Sequence, residues 1–273
     1  MSFPPRPLAF ILAASNHGPL IVNRHDYNVS ASGHSYGVGH ELLDQSAYCA
    51  AEVAFACALL GQRRRYFGEG VVALDGGANI GVHTIEWARY MHGWGRVLSF
   101  EAQEIIYYAL AGNIVLNNCL NARARLAALG ERRGELVVPR PDYFAHASFG
   151  SLELRQRAST EDIGQRLSYD PAEGVSVPMV SIDSLALERV DLLKLDVEGM
   201  ELEVLRGARQ TLMSWQPILM VEVIKSDRPA IEGLLGDLGY HCFAAGMNLI
   251  AVHTGDPVRS HMSVREDGVI VLK

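Results

Sequence analysis

The chain has 273 residues, 49% of them hydrophobic and 20% charged, and a formal net charge of -7. That composition supports a large packed core and excludes wholesale disorder, while the acidic balance argues against a broad nucleic-acid surface, which is normally basic. The length suits one large domain with an accessory piece, or two small domains.

In chain order, "PLAFILAA" at residues 7–14 is far short of a membrane span. It reads as a first strand, with "GPLIVNRHDY" at 18–27 as its hairpin partner. A Gly/Ser/His-rich loop follows, in which Tyr36 and "HSYGVG" are either a lid or an ordinary surface loop. From Glu41 to about Arg65 the chain is rich in Ala and Leu and reads as one or two helices, with Arg63 to Arg65 as a solvated helix end. Cys49, Cys57, Cys119 and Cys242 form no Cys-x-x-Cys pair and sit among apolar or small residues, so they read as buried free thiols in a reducing cytoplasm.

From Val71 strands and helices alternate. "VVALD", "RVLSFEA" and "ARLAAL" read as strands, separated by helical "HTIEWARYMHG" and "IIYYALAGNIVLNN". Residues 130–175 are irregular, with loops and short β pieces expected. Then come strand "DLLKLDVEG", helix "MELEVLRGARQTLMSW", strand "PILMVEV", helix "RPAIEGLLGDLG" and a hairpin, "YHCFAAGMNLIAVH". Such alternation implies a mostly parallel α/β sheet covered on both faces. The expected organisation is an accessory hairpin-and-helix segment over 1–70, a ligand-binding domain over 71–255 and a tail over 256–273.

In a doubly wound sheet the ligand lies beyond the C-terminal strand ends, anchored at the first strand-to-helix turn. That turn reads Asp75-x-Gly77-x-Asn79-x-Gly81. A dinucleotide fingerprint would need glycines where Asn79 and Val82 stand, and no Gly-Lys-Ser/Thr of a phosphate loop follows. Asn79 tolerates the left-handed conformation glycine would otherwise supply. Asp75 would repel a pyrophosphate but suits a sulfonium or ammonium charge. Glu101 ends the second strand, twenty positions after Gly81, where a carboxylate can bind both ribose hydroxyls. These features favour S-adenosylmethionine over NAD. His83, in the first helical turn, either touches the cofactor or packs there.

"LDGGANIGVHT", "GRVLSFEAQ", "LAGNIVLNN", "VDLLKLDVEGMELEVLRGA" and "PILMVEV" together resemble the FkbM family of S-adenosylmethionine-dependent methyltransferases, over about Val71 to Val223. The resemblance implies a seven-stranded Rossmann-like sheet, mostly parallel with an antiparallel last strand; the N-terminal accessory segment and the loops over 130–175 lie outside the matched blocks and are expected to carry substrate choice. The resemblance also implies O-methylation of a sugar, glycolipid or polyketide-type product, and Asp75, Gly77, Asn79, Gly81 and Glu101 match the family's cofactor motifs. "SFEAQ" departs from the commoner "FEP" through Ala102 and Gln103.

A hydroxyl acceptor needs a general base. Asp196 and Glu198 at one strand end, with Glu222 at the end of the next, are the catalytic candidates, Asp196 and Glu198 ahead of Glu222. Their bland roles would be helix N-cap and first-turn acid. Glu201 reads as a half-buried structural acid. No spacing signature marks a metal site, so no metal is assigned. A non-catalytic module binding S-adenosylmethionine is the alternative, and the acidic cluster favours the enzyme.

Overall fold

The computed structural model describes residues 5–265 and 270–272. Strands β1 (Phe10–Ser15) and β2 (Gly18–Asn23) form the expected antiparallel hairpin. Helices α1 (Val38–Gln45) and α2 (Ala50–Phe67) lead into the alternating region. There β3 (Val71–Gly76), α3 (Val82–Tyr90), β4 (Gly95–Glu101), α4 (Glu104–Leu116) and β5 (Ala122–Leu126) follow in turn. After the irregular stretch come β6 (Leu192–Leu195), α5 (Glu201–Arg206), α6 (Arg209–Trp215), β7 (Ile218–Glu222) and α7 (Arg228–Asp237). The hairpin β8 (Tyr240–Ala245) and β9 (Asn248–His253) closes the sheet.

The seven strands lie in the order β8-β9-β7-β6-β3-β4-β5. Five neighbours from β7 to β5 run parallel, and β9 is antiparallel to both of its partners. This is the seven-stranded, mostly parallel Rossmann-like sheet implied by the resemblance. Strand order reverses between β3 and β6, which opens a crevice at their C-terminal ends. Every residue of β3 and β6 is buried. Val71 and Ala73 of β3 join one core with Leu59, Ile85 and Leu110, while Val72 and Leu74 join the other with Val204, Leu212 and Ile231. Period-two alternation therefore feeds both faces of one strand.

Several local expectations change. The helix expected over Met200 to Trp215 is two, broken at Gly207, where a Cβ would overlap the Gly130 carbonyl oxygen. The strand expected over "ARLAAL" ends at Leu126, and Ala128–Leu129 instead pairs with Val175–Val180 in a separate three-stranded sheet. Within the Gly/Ser/His-rich loop, Asn28–Val29 pairs with Ser35–Tyr36, and α1 begins at Val38, ahead of Glu41. Of the expected tail over 256–273, residues 266–269 and 273 lie outside the described residues, as do residues 1–4. Among the described residues no single helix is long and apolar enough to cross a membrane.

The first segment is tied to the sheet by buried polar groups. Asn113 of α4 accepts from Ile21 N at 2.6 Å and donates to the Ile21 and Ile80 carbonyls. Arg63 is the larger correction, because it is not a solvated helix end but only 4% exposed. It lies 3.2 Å from Asp191 Oδ1 and 2.5 Å from Asp256 Oδ2, and Asp191 also accepts from Val72 N. Arg65, two residues on, is exposed. The expected outcome for Arg63→Ala is a loss of about 3–5 kcal/mol in urea unfolding, since two buried carboxylates lose a partner. Arg65→Ala should change stability by less than about 0.5 kcal/mol; equal small losses from both would show that Arg63 is solvated.

Candidate active site

After β3 the chain turns through Gly77 (φ 76), Asn79 (φ 50) and Gly81 (φ 95), all left-handed, before α3 begins. Gly77 is required twice over, since its backbone is left-handed and a Cβ there would overlap the Asp196 carbonyl oxygen. Gly77 N and Ala78 N both donate to the Phe100 carbonyl, at 3.0 and 2.9 Å. Asn79 supports its own conformation by accepting from Ile80 N at 2.7 Å.

Beyond this turn, at the C-terminal ends of β3, β4, β6 and β7, lies a cavity of about 420 Å³. Gly77, Asn79, Gly81, His83 and Glu101 line it, and so do Asp196, Glu198 and Glu222. Glu101 is 7% exposed and accepts from Asn79 N at 2.9 Å and Gln103 N at 2.8 Å. Burial raises its carboxyl to about 7 against those hydrogen bonds. Each oxygen keeps a further lone pair for a ligand hydroxyl. His83 Nε2 comes within 3.1 Å of Glu52 Oε1 without forming an aligned hydrogen bond, and its ring meets Trp87 edge-on.

Asp75 is not part of the cavity wall. It is fully buried, accepts from Thr84 Oγ1 at 2.6 Å and so ties α3 to the sheet. Its other oxygen, Oδ1, is buried without a hydrogen-bond partner.

The two turns after β6 and β7 bring the acids together. One carboxylate oxygen from each of Asp196, Glu198 and Glu222 lies within 4.8 Å of the others. Neither Asp196 nor Glu198 caps a helix, because α5 starts only at Glu201. Glu201, at 1% exposed, does the folding work instead by accepting from Val197 N at 2.9 Å and Gly199 N at 3.2 Å. That leaves Asp196 and Glu198 free to face the cavity, with Glu198 held at φ 53, a costly conformation for a non-glycine residue.

Two lysines answer the acids unequally. Lys194 Nζ lies 3.0 Å from Asp196 Oδ2. Burial alone would lower its ammonium, but the charges of Asp196, Asp75 and Glu52 outweigh that and hold it above its ordinary range. Lys225 Nζ sits 2.6 Å from Glu198 Oε2 and 2.7 Å from Glu161 Oε2, and donates to the Ser151 carbonyl. Glu222 has no side-chain hydrogen bond or ion pair among the described residues. Burial, then the nearby Asp196 charge, raise Glu198 to about 8 and Glu222 to about 9. Lys225, Glu161 and Glu52 arrive from distant segments and carry no motif, so sequence reasoning passed them over; Lys194 stood inside "KLDVEG" unweighed.

A mostly parallel sheet of this order, with a glycine turn after its first strand and acids at its switch point, has the Rossmann-like architecture of methyltransferases. The family model for the methyltransferase FkbM domain matches residues 75–242, and the chain belongs to that family, whose cofactor is S-adenosylmethionine. It is 29% identical over 191 residues to "Methyltransferase sdnD" of Sordaria araneosa, covering 61% of this chain and 72% of that one. It is 28% identical over 143 residues to "Methyltransferase 1" of Beauveria bassiana (strain ARSEF 2860), covering 49% and 57%. Among solved structures it is similar to the methyltransferase FkbM of Methylobacillus flagellatus KT, at 16% identity and a TM-score of 0.45, covering 69% of this chain and 46% of that one. The cavity suits the cofactor: side chains are absent from the turn at Gly77 and Gly81, and Glu101 offers a carboxylate at the wall.

These raised carboxyls set a pH dependence of stability. In the unfolded chain a glutamate titrates near 4.5, whereas in the fold Glu101, Glu198 and Glu222 hold their protons to about 7, 8 and 9. The folded state therefore binds more protons across that window, and its stabilisation is lost as pH rises through it. The expected result is a cofactor-free melting temperature that falls from pH 6 to pH 9. For Glu222→Gln the upper part of that fall should flatten, and a melting temperature rising over the same range would contradict the assignment.

Proposed function

We propose that the chain transfers the methyl group of S-adenosylmethionine to a hydroxyl oxygen of a sugar, glycolipid or polyketide-type product. The bound cofactor supplies a methyl group on a positively charged sulfur. The residues of this chain have to hold that group, align an acceptor in line with it and remove the acceptor proton. Gly77, Asn79 and Gly81 offer a side-chain-poor main chain for close approach, Glu101 accepts from ribose hydroxyls, and His83 flanks the turn. Asp75 contributes at one remove, through Thr84 and the charge it presents to Lys194.

The carrying observation is the unequal partnering of three acids in one cavity. Asp196 is committed to Lys194 and Glu198 to Lys225, whereas Glu222 has no such partner. Glu222 is therefore the general base in this reading, and Asp196 and Glu198 set its proton affinity. A carboxylate that binds its proton tightly is a stronger base once ionised, which suits a weakly acidic hydroxyl. With Asp196 held by Lys194 and Glu198 by Lys225, we assign the cluster to proton transfer rather than to a divalent cation.

Glu222→Gln should cut the single-turnover rate by about 10²–10⁴-fold while leaving cofactor affinity nearly unchanged. The wild-type rate should rise with pH toward about 9, the range in which Glu222 ionises, and EDTA should not reduce it. Full turnover in the glutamine variant would mean that the cluster is structural. Glu101→Gln should weaken S-adenosylmethionine binding by about 1.5–3 kcal/mol, the scale of a hydrogen bond to a charged group; unchanged affinity in calorimetry would remove Glu101 from the ribose.

A further inference from the structure

The wall of the cavity narrows the acceptor beyond its hydroxyl group. Seven carboxylates line it, from Glu41, Glu52, Glu101, Glu161, Asp196, Glu198 and Glu222, against Lys194, Lys225, His83 and no arginine. Both lysines are already paired with carboxylates at 3.0 Å or less. Even with Glu101, Glu198 and Glu222 uncharged, four carboxylates face two ammoniums. A phosphate or carboxylate on the acceptor would find no free cation here and would meet like charge in a partly desolvated space.

Polar groups at the mouth are also committed to one another. Tyr36 donates to Glu161 Oε1 at 3.0 Å and accepts from Asn28 Nδ2 at 3.1 Å. Asn248 Nδ2 donates to Glu52 Oε2 at 2.8 Å, and the Ser151 carbonyl is taken by Lys225. Two large apolar side chains stand exposed beside them: Ile224 is 59% exposed and Met247 58%, and both line the cavity. They are held side by side by the hydrogen bond from Val223 N to the Met247 carbonyl, at 3.0 Å. Exposed large apolar side chains at the rim of a cavity mark a binding surface more often than chance exposure.

We infer that the acceptor is an uncharged, mainly apolar molecule that lies on Ile224 and Met247 and presents a single hydroxyl to Glu222. The inference rests on the O-methylation reading and deepens it, since free sugars and phosphorylated acceptors fall outside it. A free sugar would need several fixed hydrogen-bond partners, whereas among the described residues only Glu41 and Glu222 of the seven carboxylates carry no side-chain hydrogen bond or ion pair. An amine-bearing acceptor is set apart by the O-methylation reading on which the inference rests, since the acidic wall by itself would attract it.

The test uses the full chain saturated with S-adenosylhomocysteine and four probes: n-octanol, n-octyl phosphate, n-octylamine and glucose. Binding is read by calorimetry and by saturation-transfer NMR. The expected result is that octanol binds, octyl phosphate binds at least tenfold more weakly and glucose does not bind. In Ile224→Glu/Met247→Glu, octanol binding should fall at least tenfold with the melting temperature kept, both positions being exposed. Octyl phosphate or glucose binding as tightly as octanol, no octanol binding, or octanol binding unaffected by the double substitution would overturn the inference while leaving O-methylation intact. Methyl transfer from S-adenosylmethionine to octylamine, with none to octanol, would instead overturn the O-methylation reading itself.

Discussion

The main chain at Gly77 lies directly against the carbonyl of Asp196, with no room between them for a side chain. Asp196 N in turn donates to the Gly76 carbonyl at 3.0 Å. This contact joins the turn after β3 to the turn after β6 across the switch point of the sheet. Everything on the cofactor side, through Asn79 to Glu101, and everything on the acid side, through Glu198 to Glu222, is placed relative to it. A larger residue at Gly77 would separate the turns by at least the width of a methyl group. Geometry at that scale decides whether two reacting groups are aligned.

Around this junction the site holds more acid than the fold can comfortably ionise. Lys194 and Lys225 each neutralise a neighbour, and the remaining excess is carried as tightly bound protons on Glu101, Glu198 and Glu222. Glu198 adds a left-handed backbone. Stability and reactivity are therefore set by the same groups. A cluster of this kind is destabilising while empty at high pH, and it is relieved by a ligand bearing positive charge.

Much of this was legible along the chain. The alternation after Val71, the spacing of Gly77, Asn79 and Gly81, and an acid at the end of each of three strands all follow from local pattern. They appear because backbone conformation, strand period and strand-end position are written in consecutive residues. Asp75 shows the limit of that reading. Its place at the strand end was visible, but not that its carboxylate faces α3 and bonds Thr84. Arg63 shows the same limit from the other side, since a run of three arginines looks solvated until Asp191 and Asp256 are brought to it. The break at Gly207 likewise depends on Gly130, far away in sequence.

By itself, then, the sequence determined the order of strands and helices, the glycine turn, and the presence of acids where a doubly wound sheet exposes its strand ends. The tertiary structure alone decided which acids are paired and which is left free. Lys225 and Glu161 come from two loops that no local pattern connects, and they take Glu198. Lys194 lies beside Asp75 in the strand register and takes Asp196. Glu222 keeps its carboxyl uncommitted because, among the described residues, no cation comes within ion-pair distance of it. Local pattern is written in neighbouring residues, whereas proton affinity depends on charges and burial summed over the whole surrounding volume.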